Sequence, residues 1–221
     1  MVRDLGLIDY QDAYRVQMES VRRRKRGEVG DSVIMAEHMP VFTIGRSGAR
    51  SNLLKDEAYL EALGIKILNV DRGGDITFHG PGQVVIYPII DLRKYGSDLH
   101  LYMRTLEEAA IQTLGDYGVC GERRKGRTGV WAGGGKVASI GIAATNWITY
   151  HGLSLNINID LAYFAMINPC GYKDVRMASL ESILGRKTDI RNIKQAILSR
   201  LLLFFDLEEH EMEHGYASGL A

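Results

Sequence analysis

TGVWAGGGKVASIGIAATNWITYHGLSLNINI, residues 128–159, consists of apolar, β-branched runs cut by glycine. TGVWA ends at Gly133-Gly134-Gly135, KVASIGIAATNWITY runs on to Tyr150, and HGLSLNINI starts at His151-Gly152. Breaks this short cannot hold a crossover helix, so the runs predict antiparallel neighbours joined by hairpins. Upstream, QVVIYPIIDL (83–92) is almost continuously apolar, which predicts a central strand covered on both faces. Pro88 has no N–H for a ladder and predicts a bulge or a strand end there. DSVIMAEH (31–38), VFTIG (41–45) and IKILNV (65–70) read as further strands. Helices are expected over 9–26, with Tyr10, Tyr14, Met18 and Val21 on one face, over 55–63, from Ser97 or Asp98 to about 117, and over about 188–205. Strands and helices do not alternate. The pattern therefore predicts an α+β arrangement, a mixed sheet with hairpins, and disfavours a doubly wound parallel sheet.

The 221 residues suit one domain with a real core. Lys plus Arg and Asp plus Glu are both 27, which argues against a globally basic nucleic-acid binder. Two cysteines, Cys120 and Cys170, exclude a disulfide scaffold. The start has no apolar signal core and no run approaches a membrane span, so a cytoplasmic protein is expected. A single domain over 1–206 is expected, followed by an acidic tail over 207–221.

Glycine is the outlier, at 25 residues. It clusters in RGGDITFHGPGQ (72–83), GVWAGGGKVASIG (129–141), His151-Gly152 and Cys170-Gly171. Tight hairpin turns explain any one cluster. Several together, two of them holding a lysine or a thiol, suggest backbone brought close to a ligand. In NPCG, Pro169 and Gly171 present Cys170, whereas Cys120 reads as an ordinary small buried residue. A nucleophilic thiol needs a partner that favours the thiolate, and His38, His79, His151 and Lys136 are the candidates. Lys136 follows three glycines and opens an apolar strand, which predicts an amine at the rim of a pocket. Two motifs mislead. GGGK lacks the first glycine and the Ser/Thr of a phosphate loop. His210-Glu211-Met212-Glu213-His214 matches a zinc-protease pattern but lies in the acidic tail, so no metal site is expected.

Five blocks in order, EHMPVFTIGR, RGGDITFHGPGQ, GKVASIG, HGLSLNIN and NPCG, resemble the lipoyl(octanoyl) transferases over about residues 31–184. Phe78 stands where Tyr is common, and Met177-Ala178-Ser179 where a Thr usually precedes the Ser. The resemblance implies the fold of biotin protein ligases and lipoate ligases, a mixed, largely antiparallel sheet flanked by helices. It implies Cys170 as acyl acceptor and Lys136 as its partner. It also implies an acyl pocket of Arg72, Gly73, Gly74, Asp75, Ile76, Thr77, Phe78, His79, Ser139, Ile140, Gly141, Gly152, Leu153 and Ser154. The implied donor is acyl carrier protein bearing octanoyl-phosphopantetheine. The implied acceptors are lipoyl domains of 2-oxoacid dehydrogenase E2 subunits and the glycine cleavage H protein, with no cofactor, nucleic acid or membrane. Arg22 to Arg26, or Arg123, Arg124, Lys125 and Arg127, could supply the basic face an acidic carrier needs. The rivals are an ATP-using ligase on the same fold, which would not need Cys170, and a non-catalytic binding module.

Overall fold

Side chains on a strand alternate between faces, and here that alternation sorts the apolar residues into separate cores. The computed structural model describes residues 1–169, 175–207 and 212–214. The chain runs β1 (Val2–Ile8), α1 (Tyr10–Lys25), β2 (Ser32–His38), β3 (Val41–Ile44), α2 (Glu57–Ala62), β4 (Lys66–Asn69), β5 (Ile76–His79) and β6 (Gln83–Ile89). It continues through α3 (Leu99–Gly115), β7 (Glu122–Arg124), β8 (Arg127–Ala132), β9 (Gly135–Thr145), β10 (Ile148–Asn156), α4 (Leu180–Leu184), α5 (Ile190–Phe204) and β11 (Met212–His214). The larger sheet has the order β11-β1-β2-β6-β10-β9-β8-β7, the smaller β4-β3-β5. The β11–β1, β1–β2 and β3–β4 pairs are parallel and the rest antiparallel. The expected mixed, largely antiparallel sheet is the fold.

On β6, Val84 and Ile86 face α3 and α5, while Val85, Tyr87 and Ile89 face α1. Both faces of this strand are covered, which is why its sequence reads as one apolar run. Pro88 opposes Val33 of β2, next to the strand end at Ile89. The β10 ladder on its other side reaches only to Ile86, so no bond on that side is lost at the proline. The third core fills the small sheet with Phe42, Ile44, Ile76 and Phe78, closed by Phe164, Ile167 and Met177.

Two expectations need correction. The run KVASIGIAATNWITY is not one strand. The chain reverses at Asn146-Trp147, both at positive φ, and Thr145 opposes Ile148. Two left-handed residues make the two-residue hairpin loop that matches strand twist. His151-Gly152, read as a break, lies inside β10. Second, the buried face of α1 is Tyr10, Ala13, Gln17 and Val21, with Tyr14 and Met18 only partly covered, because Gln17 spends its carboxamide oxygen on the His151 backbone N–H. Within the tail, Met212–His214 adds to β1 as a parallel edge strand. Strands β1 and β5 and helix α4 carry no sequence signal that singled them out.

Candidate active site

The site lies where the small sheet leans on β9 and β10. Arg72 joins the two layers. It is 7% exposed. Its Nε donates to Thr43 Oγ1, Nη2 to the Thr43 carbonyl and Oγ1, and Nη1 to the Gly73 carbonyl. The approach needs glycine on both sides. A Cβ on Gly45 would stand 2.8 Å from Arg72 Nη1, and one on Gly141 2.9 Å from its Cδ. Asp75 organises the neighbouring loop, accepting from the Ile76 and Ala49 N–H groups and from Asn52 Nδ2.

From Arg72 a chain of hydrogen bonds runs in one direction. Arg72 donates to Thr43 Oγ1, and that hydroxyl meets His79 Nε2 at 3.4 Å. His79 Nδ1 lies 2.7 Å from Gln83 Oε1. Gln83 Nε2 donates to Asn156 Oδ1, and Asn156 Nδ2 donates to the Ala178 carbonyl. Each amide has its oxygen toward Arg72 and its nitrogen toward Ala178. That polarity makes His79 Nδ1 the donor and Nε2 the acceptor, a neutral imidazole. Burial pushes its pKa well below the ordinary value, in agreement.

The other candidate histidines are neutral too. His38 Nδ1 faces the Ile8 carbonyl at 3.2 Å and Nε2 faces the Tyr87 hydroxyl at 2.5 Å. Burial lowers its pKa to about 4. His151 sits in β10 at a positive φ, with Nε2 2.7 Å from Asp71 and Nδ1 3.4 Å from Tyr10 Oη. Burial lowers its pKa, and the Asp71 carboxylate only partly offsets this. Asp71 is itself held well below the usual carboxylate range, first by the hydrogen bond from His151 and then by that from Tyr150. None of the three histidines therefore offers a cation at neutral pH.

Lys136 is different. It opens β9 opposite Trp131 and is 4% exposed. Its Nζ lies 5.3 Å from the centre of the Trp131 ring. Its backbone is stitched to the segment after residue 175: the Lys136 N–H donates to the Arg176 carbonyl, and the Ala178 N–H donates to the Lys136 carbonyl. Gly133-Gly134 are the turn of the β8–β9 hairpin, so this glycine cluster serves chain reversal. The third glycine lets the 176–178 segment close in, since a Cβ on Gly135 would stand 2.8 Å from Ala178 Cβ.

Lys136 lines two adjoining clefts, which share Gly74, Asp75, Ile140 and Gly141 with it. The expected residues of 72–79, 139–141 and 152–154 line the first cleft, with two exceptions. Gly73 lines the second. Phe78 lines neither: it points into the small-sheet core, stacked on Tyr163, because Thr77 and His79 take the cleft face. Gly152 lines the cleft, yet its missing Cβ also serves packing, as a Cβ there would stand 2.3 Å from the Ile86 carbonyl oxygen. Cys170 lies outside the described residues. Cys120 is exposed, not buried as expected, and lines neither cleft. Sequence reasoning missed Tyr10, Val85 and Tyr87 in the first cleft and Met103 and Trp131 in the second. The aromatic spacing on α1 was the one signal that could have found Tyr10.

The family model "Lipoyl protein ligase A/B catalytic domain" matches residues 9–202. An octanoyltransferase of Geobacter metallireducens is 42% identical over 206 residues, 93% of each chain. Another, of Rubrobacter xylanophilus, is 45% identical over 196 residues, 88% of each chain. Among solved structures, a lipoate-protein ligase A bound with ATP aligns with a TM-score of 0.78 at 14% identity, over 98% of this chain and 89% of that one. A biotin protein ligase of Aquifex aeolicus aligns at 0.52 and 13% identity, over 93% and 68%. The fold is thus that of the lipoate and biotin protein ligases. Within it, this chain belongs to the lipoyl(octanoyl) transferase family, a family of acyltransferases.

Proposed function

We propose that this chain moves an octanoyl group from octanoyl-acyl carrier protein to a lysine of lipoyl domains, with Cys170 as covalent relay. The observation that carries the reading is Lys136, a buried amine at the junction of two clefts and bonded through its backbone to the 176–178 segment. With the three histidines neutral, Lys136 is the candidate of the four that can favour a thiolate by charge. Cys170 sulfur attacks the thioester carbonyl; its C–S bond forms, the pantetheine C–S bond breaks, and Lys136 protonates the departing sulfur. The acceptor amine then attacks the Cys170 thioester. Its C–N bond forms, the Cys170 C–S bond breaks, and the amine's proton returns to Lys136. Thioester exchange is nearly balanced and amide formation is downhill, so no ATP is consumed. The first cleft takes the acyl chain against Val85 and Tyr87, and the second admits the pantetheine arm and then the lysine.

The basic groups divide. Arg22 pairs with Glu19, Arg23 and Arg26 with Glu28, and Arg24 with Asp31 and Asp91. Arg123 is taken by Glu107 and Glu108. We place carrier docking at the β7–β8 hairpin, where Lys125 is exposed and Gly126, Arg127 and Thr128 rim the second cleft. We further propose one catalytic domain over 1–206, acting in the cytoplasm, with glycine cleavage H protein among the acceptors.

Intact-mass measurement after incubation with octanoyl carrier protein tests the relay. One octanoyl adduct is expected on Cys170, absent in Cys170→Ser and unchanged in Cys120→Ser. An adduct on Cys120, or turnover by Cys170→Ser, overturns it, and incorporation of free octanoate only with ATP would identify a ligase instead.

A further inference from the structure

Glu107 is a carboxylate with 0% exposure in the middle of α3. Two arginines balance it: Oε2 accepts from Arg104 Nη1 at 2.5 Å and from Arg123 Nε at 3.0 Å. Its other oxygen does something charge balance does not require. Oε1 accepts the backbone N–H of Gly129 at 2.9 Å. Gly129 has a φ of +128°, and a Cβ there would stand 2.5 Å from Lys136 Cε and 3.2 Å from its Nζ. The end of the Lys136 side chain therefore lies against the Gly129 backbone. The β8–β9 register also slips between Val130 and Trp131 at this point, and such a slip re-aims the side chain beside it. A slipped ladder holds its backbone less firmly, and the Glu107 carboxylate pins it.

We infer that Glu107 is a positioning residue: it fixes the Gly129 backbone and so the wall that seats Lys136. The inference rests on the reading of Lys136 as the proton-transfer partner of Cys170. Glu107 lines neither cleft, so its loss should disturb the chemical step and spare acyl binding.

The test uses the full chain with Cys120→Ser, comparing Glu107→Ala and Glu107→Gln with Lys136→Met. Two readouts are taken: kcat and KM for a small octanoyl thioester, and the pH dependence of Cys170 alkylation. For Glu107→Ala, kcat should fall about 10- to 100-fold, the scale of an ångström-sized misplacement, with KM unchanged within about twofold. Its alkylation midpoint should move toward that of Lys136→Met. Glu107→Gln keeps an oxygen for Gly129 but turns N–H groups toward the arginines, so it should fall between wild type and Ala; it decides alone if Glu107→Ala does not fold. Wild-type kcat and alkylation profiles in both Glu107 variants, with Lys136→Met altered, would overturn the positioning role alone. An unaltered Lys136→Met would overturn the dyad and this inference with it. A rise in KM without loss of kcat would show that Glu107 serves binding, and would also refute it.

Discussion

Acid should unfold this protein earlier than its carboxylates alone dictate, and His38 supplies a calculable part. Its ring is fixed between the Ile8 carbonyl and the Tyr87 hydroxyl, and burial lowers its pKa from 6.5 to about 4. The unfolded chain takes up a proton near pH 6.5 and the folded chain refuses it until about pH 4. The stabilisation is therefore complete above pH 6.5 and is lost as pH falls from there to about 4. At about 1.4 kcal/mol per pH unit, this interval is worth about 3 kcal/mol, a large share of a typical net stability of about 5–15 kcal/mol. His38→Gln removes the titration while keeping a donor for Ile8 and an acceptor for Tyr87. Urea unfolding at pH 7.5, 6, 5 and 4, read by tryptophan fluorescence, is the assay. The variant should be less stable at pH 7.5, and its curve should then converge on or cross that of the wild type by pH 4. His151 and Asp71 titrate in both proteins and cancel in the difference, whereas His79, whose pKa His38 helps to lower, adds to it. Parallel curves, with a constant gap from pH 7.5 to 4, would refute a buried neutral His38.

Other outcomes are expected of the same structure. Lys136→Arg keeps a charge beside Trp131 but cannot release a proton near neutral pH, so single-turnover acylation and deacylation should slow about 10²-fold or more, as in Lys136→Met; near-native rates in the arginine variant would leave Lys136 only an electrostatic role. Arg72→Lys replaces four hydrogen bonds to Thr43 and Gly73 by a single point charge, and should cost about 2–3 kcal/mol in denaturant unfolding; an unchanged midpoint would mean that Arg72 does not bind the layers together. Lys125→Glu should raise KM for octanoyl carrier protein more than for a small octanoyl thioester, with the gap closing at high salt. Equal changes for both substrates would remove carrier docking from the hairpin.

What was legible follows from what is local. The apolar run of 83–92 and the hairpin stretch 128–159 fixed the sheet type because a pleated strand writes its burial into neighbouring residues. Lys136 was legible because the turn before it and the strand after it are contiguous. The misplaced break shows the limit. Gly152 drew the eye as punctuation, yet it is needed where β10 crosses the Ile86 carbonyl, and the true turn uses Asn146 and a tryptophan. Gly45 passed as a strand end, although its missing Cβ makes room for Arg72. Tyr10 meets His151 from 141 positions away, and Glu107 meets Gly129 from 22. Such partners exist only after the sheet has formed. Strand β1 was hidden because VRDLGLI carries charges and a glycine and takes its place beside β2 through packing.

The same long-range contacts explain why so many polar groups can sit around the first cleft. A buried histidine is cheap only if it is neutral and both nitrogens are matched. His79 achieves this through a chain whose amides all point one way, and His38 through a carbonyl and a hydroxyl. A protonated imidazole at His79 would set a donor against the Thr43 hydroxyl that already accepts from Arg72, and at His38 it would bury a charge with no counter-ion in contact. The arrangement therefore reserves positive charge in the first cleft for Arg72 and Lys136. Arg72 is engaged with Thr43 and Gly73, and an arginine does not give up its proton. On the proposed function, proton exchange at this cleft is assigned to Lys136. Its backbone is tied to the 176–178 segment, so whatever moves that segment moves the lysine with it.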